Sequence, residues 1–268
     1  MSLKGIDISK WQSGINVGAL DVDFVICKAT EGTGYVDSQC DIAYQKAKSA
    51  GKLLGVYHFA HPENNPVSEA NFFVDNILGY VGEAILVLDY ETNTNVSWAK
   101  QWLDQVAFRT GVNPLIYISE SAVNSADWLP ISNKYGLWVA KYLDNEPDYN
   151  FDMSNAGNFP HITDWEVCAM WQWTSTGRLN GYNGNLDCNI FYGDANTWRL
   201  YAKKPEPIVV TPVEPVVITP EPIKEPEPIV EPTLPETPVV EPVVKPKPTL
   251  LELITKLVQL ILSLFKKG

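Results

Sequence analysis

Eight short apolar runs with β-branched residues recur along the first three quarters of the chain, and they restrict its fold more than any other feature. Runs of this kind, separated by turn-forming residues, predict strands. The predicted strands are 5–8, 24–28, 54–59, 84–90, 115–118, 137–142, 169–173 and 186–191.

Helical patterns separate the early strands. Segment 38–50 places apolar and small residues on one side and stops at Gly51, and 67–78 has the same character. Segment 97–109 opens with Ser97 as its predicted N-cap and ends before Gly111. Strands that alternate with helices pair in parallel through crossovers, while the last three connections look like loops. The sequence therefore predicts an α/β fold, an irregular TIM-like barrel that is helical early and looser late.

A change of composition at Pro205 divides the chain. Residues 1–204 contain every Trp and Tyr, and a body of this size is ample for one large core. Fourteen of the 44 residues in 205–248 are Pro, which predicts an extended, polyproline-like linker. Residues 249–268 have the pattern of an amphipathic helix.

The predicted C-terminal helix carries two adjacent apolar seams along residues 249–267. Glu252 and Lys256 interrupt its apolar stretch, which argues against a membrane-spanning segment. Three interpretations stay open. Paired seams suit a bundle of identical helices and thus a homo-oligomer, the Leu/Phe face suits interfacial membrane contact, and the helix could dock onto the barrel. We rank self-association first.

Composition and spacing exclude several classes of function. The net charge of −12, without a basic stripe, argues against a nucleic-acid partner. The four cysteines occur singly, which favours buried thiols. His61 and His161 lack the spacing of a metal site, so no metal is predicted. The opening residues MSLKGIDISKW lack the apolar segment of a signal peptide, so we expect synthesis in the cytoplasm.

Asp89 and Glu91 are the first candidates for chemistry. They end a wholly apolar run in AILVLDYET, and residues i and i+2 of a strand point to the same face. In a β/α barrel the C-terminal ends of the strands form the active site. A carboxyl among apolar neighbours, with a second carboxylate nearby, tends to keep its proton near neutral pH. The pair by itself is equally compatible with a solvated strand end.

Two further acids belong to strands that a closed barrel makes neighbours. Asp7 ends the first predicted strand and Asp187 lies in the last, so both could meet Asp89 and Glu91. Aromatic residues accompany the strand ends, and flat aromatic faces beside carboxylates suit the stacking of sugar rings. These aromatic residues are Trp11, Tyr57, Tyr90, Tyr117, Trp138, Tyr142, Trp171 and Trp173.

Eight motifs follow one another along residues 4 to about 200, namely GIDISKWQ, FVICKATEG, GVYHFA, LDYE, LIYIS, LWVAKY, MWQWTSTG and DCNIFYG. In this order they resemble the catalytic domain of family 25 of the glycoside hydrolases. This family contains lysozymes of bacteriophage endolysins and fungal muramidases. The resemblance implies an irregular (β/α)5(β)3 barrel of five βα units followed by three strands. It also implies an N-acetylmuramidase that needs no cofactor.

The expected reaction is hydrolysis of the β-1,4 bond between N-acetylmuramic acid and N-acetylglucosamine in peptidoglycan. By position, Glu91 matches the family's proton donor, Asp89 the partner of that donor, and Asp187 and Asp7 the other active-site carboxylates. Predicted substrate contacts are Tyr57, Tyr90, Tyr117, Trp138, Trp171 and Lys28. We expect Glu91 to act as acid and base, with Asp187 or Asp89 stabilising the cationic centre. A retaining, an inverting and a substrate-assisted course all stay open.

Some residues and functions have a second interpretation. Lys28 contacts either substrate or Glu31, in an ion pair near the barrel floor, and His58 alternates to the opposite strand face, which favours a structural role. The whole protein could be a glycan-binding barrel without catalysis, or a membrane-active protein whose effector is the tail. For the enzyme we expect an endolysin, made in the host cytoplasm and acting at the cell wall after release.

Overall fold

A computed structural model describes residues 2–203, which contain ten strands and six α-helices. The predicted linker 205–248 and helix 249–268 lie outside the described residues. The strands are β1 (Leu3–Ile8), β2 (Phe24–Glu31), β3 (Tyr35–Val36), β4 (Leu53–Phe59), β5 (Ile85–Glu91), β6 (Leu115–Ser119), β7 (Leu137–Ala140), β8 (Asp148–Tyr149), β9 (Met170–Arg178) and β10 (Leu186–Phe191).

Eight of these strands close into a barrel. Strands β1, β2, β4, β5, β6, β7 and β9 are parallel neighbours in that order. Strand β10 runs antiparallel between β9 and β1 and completes the circle. The short strands β3 and β8 pair with the ends of β2 and β9, outside the barrel wall. The predicted closure is confirmed, and it makes β1 and β10 direct neighbours.

The helices are α1 (Cys40–Ser49), α2 (Pro66–Ile77), α3 (Val96–Thr110), α4 (Glu120–Val123), α5 (Leu129–Ser132) and α6 (Ala195–Ala202). Helices α1, α2 and α3 confirm the three predicted helices. The cap of α3 differs from the prediction, because the side chain of Asn95 accepts a hydrogen bond from the amide of Trp98 at 3.1 Å. Ser97 therefore lies inside the helix. Gly111 ends it in the left-handed region, with φ of 73°.

The order of elements is that of the predicted (β/α)5(β)3 barrel. Helices follow β2, β4, β5 and β6, while the β1–β2 connection contains only short 3-10 turns. No α-helix separates β7, β9 and β10 in the described chain, so the late connections are irregular as predicted. Helix α6, which the sequence pattern did not reveal, follows β10.

Alternation along the strands divides the core into two layers. Inside the barrel lie Phe24, Ile85 and Val87, and Trp198 of α6 packs against this layer. Its indole nitrogen donates to the carbonyl of Leu54 at 3.1 Å. Between the strands and the helices lies a larger layer that includes the alternate residues of the same strands. A strand residue therefore faces either the barrel interior or the helices, and this choice decides which side chains reach the mouth.

The four cysteines, Cys27, Cys40, Cys168 and Cys188, are buried free thiols, as the sequence predicts. Among the helices of residues 2–203, none combines the length and the apolar character that a membrane crossing requires.

Candidate active site

A cleft opens at the carboxyl ends of the parallel strands, and all four predicted carboxylates line it. Asp7 comes from β1, Asp89 and Glu91 come from β5, and Asp187 comes from β10. The strands β5 and β10 lie four positions apart in either direction around the barrel. The two acid pairs therefore face each other across the mouth. The other lining residues are Ile8, Ser9, Trp11, Gln12, Lys28, Tyr57, Phe59, Tyr117, Trp138, Tyr142 and Gln172.

The end of β5 carries a local distortion that presents its two acids. Asp89 pairs with Tyr117 of β6, and the register shifts before Glu91 pairs with Ile118. Glu91 has φ of 47°, in the left-handed region that non-glycine residues seldom adopt. Backbone strain of this kind persists where surrounding structure enforces it, often at functional sites.

Burial raises the pKa of both β5 carboxyls. For Asp89, loss of solvent is the largest cause, the charge of Glu91 adds to it, and the pKa lies well above its ordinary value. Asp89 Oδ1 is buried and accepts no hydrogen bond from residues 2–203. Glu91 lies closer to solvent. Its pKa is raised by partial desolvation, and the ammonium of Lys28 opposes that rise. Both acids are thus biased toward the protonated form that a proton donor needs.

Asp7 and Asp187 are paired across the antiparallel β1–β10 ladder. Asp7 Oδ1 accepts hydrogen bonds from Gln172 Nε2 and Asn189 Nδ2, each at 2.8 Å. Burial raises the pKa of Asp7 to about 6, although these two amides lower it. Burial and the charge of Asp7 raise the pKa of Asp187 to about 8. Two close carboxyls in a buried site do not ionise together readily, so this pair holds a proton near neutral pH.

Lys28 is a cation at this acidic mouth. Its ammonium contacts Glu31 Oε2 at 2.6 Å and lies 4.6 Å from the ring centre of Phe59. Glu31 also pairs with His61 at 2.9 Å. Lys28 therefore lines the cleft and also forms an ion pair with Glu31. The two interpretations of this residue, a substrate contact and an ion pair, are compatible. The pair lies at the carboxyl end of β2, so its predicted place near the barrel floor is wrong.

Comparison with known proteins identifies the family to which this barrel and cleft belong. The sequence profile of the glycosyl hydrolases family 25 matches residues 6–182. The chain belongs to this family. It is therefore a glycoside hydrolase, and its barrel and acidic cleft are those of a family 25 member.

Several relatives show the extent of the similarity. Lysozyme M1 of Streptomyces globisporus is 30% identical over 214 residues, covering 72% of this chain and 70% of that protein. The crystal structure of a lysozyme from Streptomyces coelicolor matches with a TM-score of 0.63 at 28% identity, covering 75% of this chain and 96% of that one. The catalytic domain of endolysin ply40 from bacteriophage P40 of Listeria monocytogenes matches with a TM-score of 0.61 at 27% identity, covering 75% and 98%.

Three of the five predicted aromatic contacts lie in the family 25 cleft, namely Tyr57, Tyr117 and Trp138. Trp138 is only 2% exposed, and its indole nitrogen donates to Asn189 Oδ1 at 2.9 Å. Its ring thus forms part of the inner wall, and only a small part of its surface is available to a ligand.

Tyr90 and Trp171 do not line the cleft, and their placement there was wrong. Tyr90 is fully buried against Trp98, and its hydroxyl donates to the carbonyl of Asn95 at 3.0 Å. Trp171 is 3% exposed and donates to the carbonyl of Lys141 at 3.0 Å. The physical reason is the alternation of strands, because each residue adjoins a cleft-facing one and points to the helix side.

Gln172 and Tyr142 line the cleft and Asn189 lies buried behind it, and none of the three was predicted as a site residue. Gln172 Oε1 accepts from Tyr117 at 2.6 Å and also from the hydroxyl of Tyr142, while Gln172 Nε2 and Asn189 hold Asp7. A signal existed for two of them. Gln172 is the polar residue between two tryptophans of an apolar strand, and Asn189 follows Asp187 by two positions on the same face. Tyr142 was noted as a strand-end aromatic residue only.

The remaining histidine prediction agrees with the structure. His58 is fully buried on the helix side, where its ring nitrogens contact Thr30 Oγ1 and Glu69 Oε2, both at 2.8 Å. Within residues 2–203, no three His, Cys, Asp or Glu side chains form a cluster that could hold a metal ion.

Proposed function

We propose that the protein is a lysozyme, an N-acetylmuramidase that hydrolyses the β-1,4 bond between N-acetylmuramic acid and N-acetylglucosamine in peptidoglycan. The single observation that carries this proposal is the convergence of four carboxyls from β1, β5 and β10 in one aromatic-walled cleft. Membership of family 25 and the named lysozyme relatives support the choice of substrate.

Glu91 is the proposed proton donor. Its raised pKa keeps the carboxyl protonated at a pH where an ordinary glutamate is ionised. It can then give its proton to the glycosidic oxygen as the bond to the anomeric carbon breaks. Glu91 is closer to solvent than Asp89, so the same carboxylate can afterwards take a proton from the attacking water.

Asp89 supports a substrate-assisted course. Its buried Oδ1 has no protein partner among residues 2–203, so it is available to the 2-acetamido N–H of the sugar. Held in this way, the acetamido carbonyl oxygen bonds to the anomeric carbon while the leaving oxygen departs with the proton of Glu91. Water then opens this ring intermediate. The negative charge on the opposite side of the mouth, in the Asp7–Asp187 pair, stabilises the cationic centre.

Mass spectrometry of digested cell walls tests the reaction. Purified walls are incubated with the full chain, and the fragments are reduced with borohydride. We expect reduced muramic acid at every new end. Reduced glucosamine there would show a different bond specificity. Absence of new reducing ends, with retained binding to walls, would instead support the catalytically silent binding module.

We further propose that the enzyme acts as an endolysin, at the cell wall after release from the cytoplasm. The similarity to a Listeria phage endolysin supports this role. Expression of the full chain in a bacterium, with and without a separate pore-forming membrane protein, tests it. We expect lysis only when the pore is present. Lysis without the pore would contradict the proposed route.

A further inference from the structure

Asp7 is held more firmly than any other acid of the cleft. Its Oδ1 accepts two amide hydrogen bonds, from Gln172 and Asn189, at 2.8 Å each. The three side chains are almost completely buried, with exposed fractions of 7%, 3% and 0% for Asp7, Gln172 and Asn189. Water is thus largely excluded from Asp7 Oδ1, and the two amide donors determine how readily the carboxyl ionises.

Trp138 fixes the direction of the Asn189 amide. An indole N–H can only donate, and it donates to Asn189 Oδ1 at 2.9 Å. The NH2 group of Asn189 must therefore point the other way, toward Asp7. Gln172 lacks such a constraint, because its partners Tyr117 and Tyr142 are hydroxyls that can donate or accept. Asn189 is accordingly the residue that requires Asp7 Oδ1 to be an acceptor.

Asp187 has no comparable support. It faces Asp7 across the β1–β10 ladder, yet no side chain or backbone N–H of residues 2–203 donates a hydrogen bond to its carboxyl. When two neighbouring carboxyls share one proton, the ionised form lies on the one with the better donors. The arrangement therefore separates the two acids by their surroundings, although they are the same residue type.

We propose that Trp138 and Asn189 are positioning residues that keep Asp7 ionised and leave the proton of the Asp7–Asp187 pair on Asp187. In the proposed reaction, on which this inference rests, Asp7 supplies the negative charge and Asp187 supplies an O–H donor to the sugar. The carboxylate role that the family resemblance gives to Asp187 is thereby refined to that of a neutral acid.

Other titratable groups face the pair from the remaining strands and from the segment after β7. They are Lys28, Tyr57, Asp89, Glu91, Tyr117 and Tyr142, and the buried thiols Cys27 and Cys188 also lie near the pair. The tyrosine hydroxyls stay neutral near pH 7, since burial raises the pKa of each. Lys28 is the one cation among the described cleft residues, and it lies beside Glu31 near the β5 acids. None of these groups donates a hydrogen bond to Asp7 or Asp187, so the direction of the Asn189 amide remains the distinguishing feature.

The test uses Trp138→Phe, which removes the indole N–H but keeps an aromatic ring. Asn189 can then rotate, and Asp7 loses its enforced donor. Aspartate side-chain carboxyl carbons are followed by 13C NMR during a pH titration of the full chain. In the wild type we expect the lower titration step of the pair to belong to Asp7. In Trp138→Phe that step should rise by about half a pH unit or more.

Trp165→Phe is the matched control. Trp165 is also buried, but its indole nitrogen donates to the backbone carbonyl of Tyr135 at 2.8 Å, away from the cleft. We expect it to lose stability without moving the titration of either acid. Asn189→Leu is a stronger version of the test, because it removes the amide donor itself. If the leucine variant does not fold, Trp138→Phe still tests the proposal.

The pH profile of kcat/KM gives a second measurement. The acid limb should move to higher pH in Trp138→Phe by the same amount as the lower NMR step, since Asp7 must be ionised for activity. An equal loss of activity at every pH, or a lower step that belongs to Asp187, would overturn the inference. If the wild type released no reducing ends, the proposed reaction would fail, while the NMR titration would still decide where the proton lies.

Discussion

Asp7 and Asp89 face the same cleft from different strands, and their surroundings contrast. Asp7 Oδ1 accepts two amide hydrogen bonds from its neighbours in β9 and β10. Asp89 Oδ1 is also buried, and it accepts no hydrogen bond from the described protein. Strand β10, which is antiparallel to β1, and the next strand β9 provide these amides, whereas the parallel neighbours of β5 present Phe59 and Tyr117 in register with Asp89.

In the proposed mechanism this difference gives the two acids separate roles. A carboxyl whose partners are in place before substrate arrives acts through its charge. A carboxyl with an unused oxygen gains its missing partner only when substrate binds. The arrangement costs folding stability at β5, and such a cost is common where a buried polar group serves function.

The largest effect should follow from Glu91→Gln. Glutamine keeps the shape of the side chain but cannot deliver a proton, so we expect activity to fall by about 10³-fold, with the fold unchanged. Release of reducing ends from purified walls measures activity, and circular dichroism measures folding. A folded variant with wild-type activity would move the role of proton donor to another acid of the cleft.

Asp89→Asn should lower activity by about 10²-fold and also raise stability at neutral pH. Folding raises the pKa of Asp89, so the folded state binds this proton more tightly than the unfolded state. Wild-type stability therefore falls as pH rises above the ordinary aspartate range, and this loss is absent below it. The variant should melt a few degrees higher than the wild type at pH 7 and equally at about pH 3.

Asp194→Asn provides the control for that measurement. The Asp194 carboxylate caps α6 by accepting from the amide of Thr197 at 2.8 Å, and its pKa is lowered instead of raised. We expect neither a gain in melting temperature at pH 7 nor a loss of activity. If Asp89→Asn destabilised the protein at pH 7, the idea that β5 carries an unfavourable buried acid would be wrong.

A smaller effect is expected from Lys28→Met. Lys28 lowers the pKa of Glu91, so its removal should let that pKa rise further. The donor then stays protonated to higher pH, and the alkaline limb of kcat should shift upward by about half a pH unit. Lys48→Met removes the exposed ion pair with Glu83 and should leave the profile unchanged. A downward shift for Lys28→Met would contradict the assignment.

The smallest effect should come from Tyr90→Phe. It removes one hydrogen bond on the helix side, to the carbonyl of Asn95, and should cost about 1 kcal/mol of stability with no change in kcat/KM. Tyr117→Phe removes a bond to Gln172 inside the cleft and should lower kcat/KM several-fold. Chemical denaturation and steady-state kinetics on soluble glycan measure both. Equal kinetic effects in the two variants would mean that the β5 and β6 faces were assigned incorrectly.

The recurrence of eight strands and the two acids of β5 were predictable because they depend on local spacing. Apolar runs fix the eight barrel strands, although not the short β3 and β8, and the i, i+2 relation puts Asp89 and Glu91 on one face. The same alternation would have excluded Tyr90, which adjoins Asp89. The resemblance to family 25 predicted the order of the barrel strands correctly, because the family's motifs lie at the ends of those strands.

What the tertiary structure alone decided is which partners each acid has. Asp7 meets Gln172 and Asn189 only because β10 inserts between β9 and β1, at sequence separations of 165 and 182 residues. No local pattern encodes those contacts, since they depend on the closure and register of the whole barrel. The sequence by itself determined that acids lie at the strand ends, and barrel closure decided which of them are hydrogen-bonded and which lack a partner among the described residues.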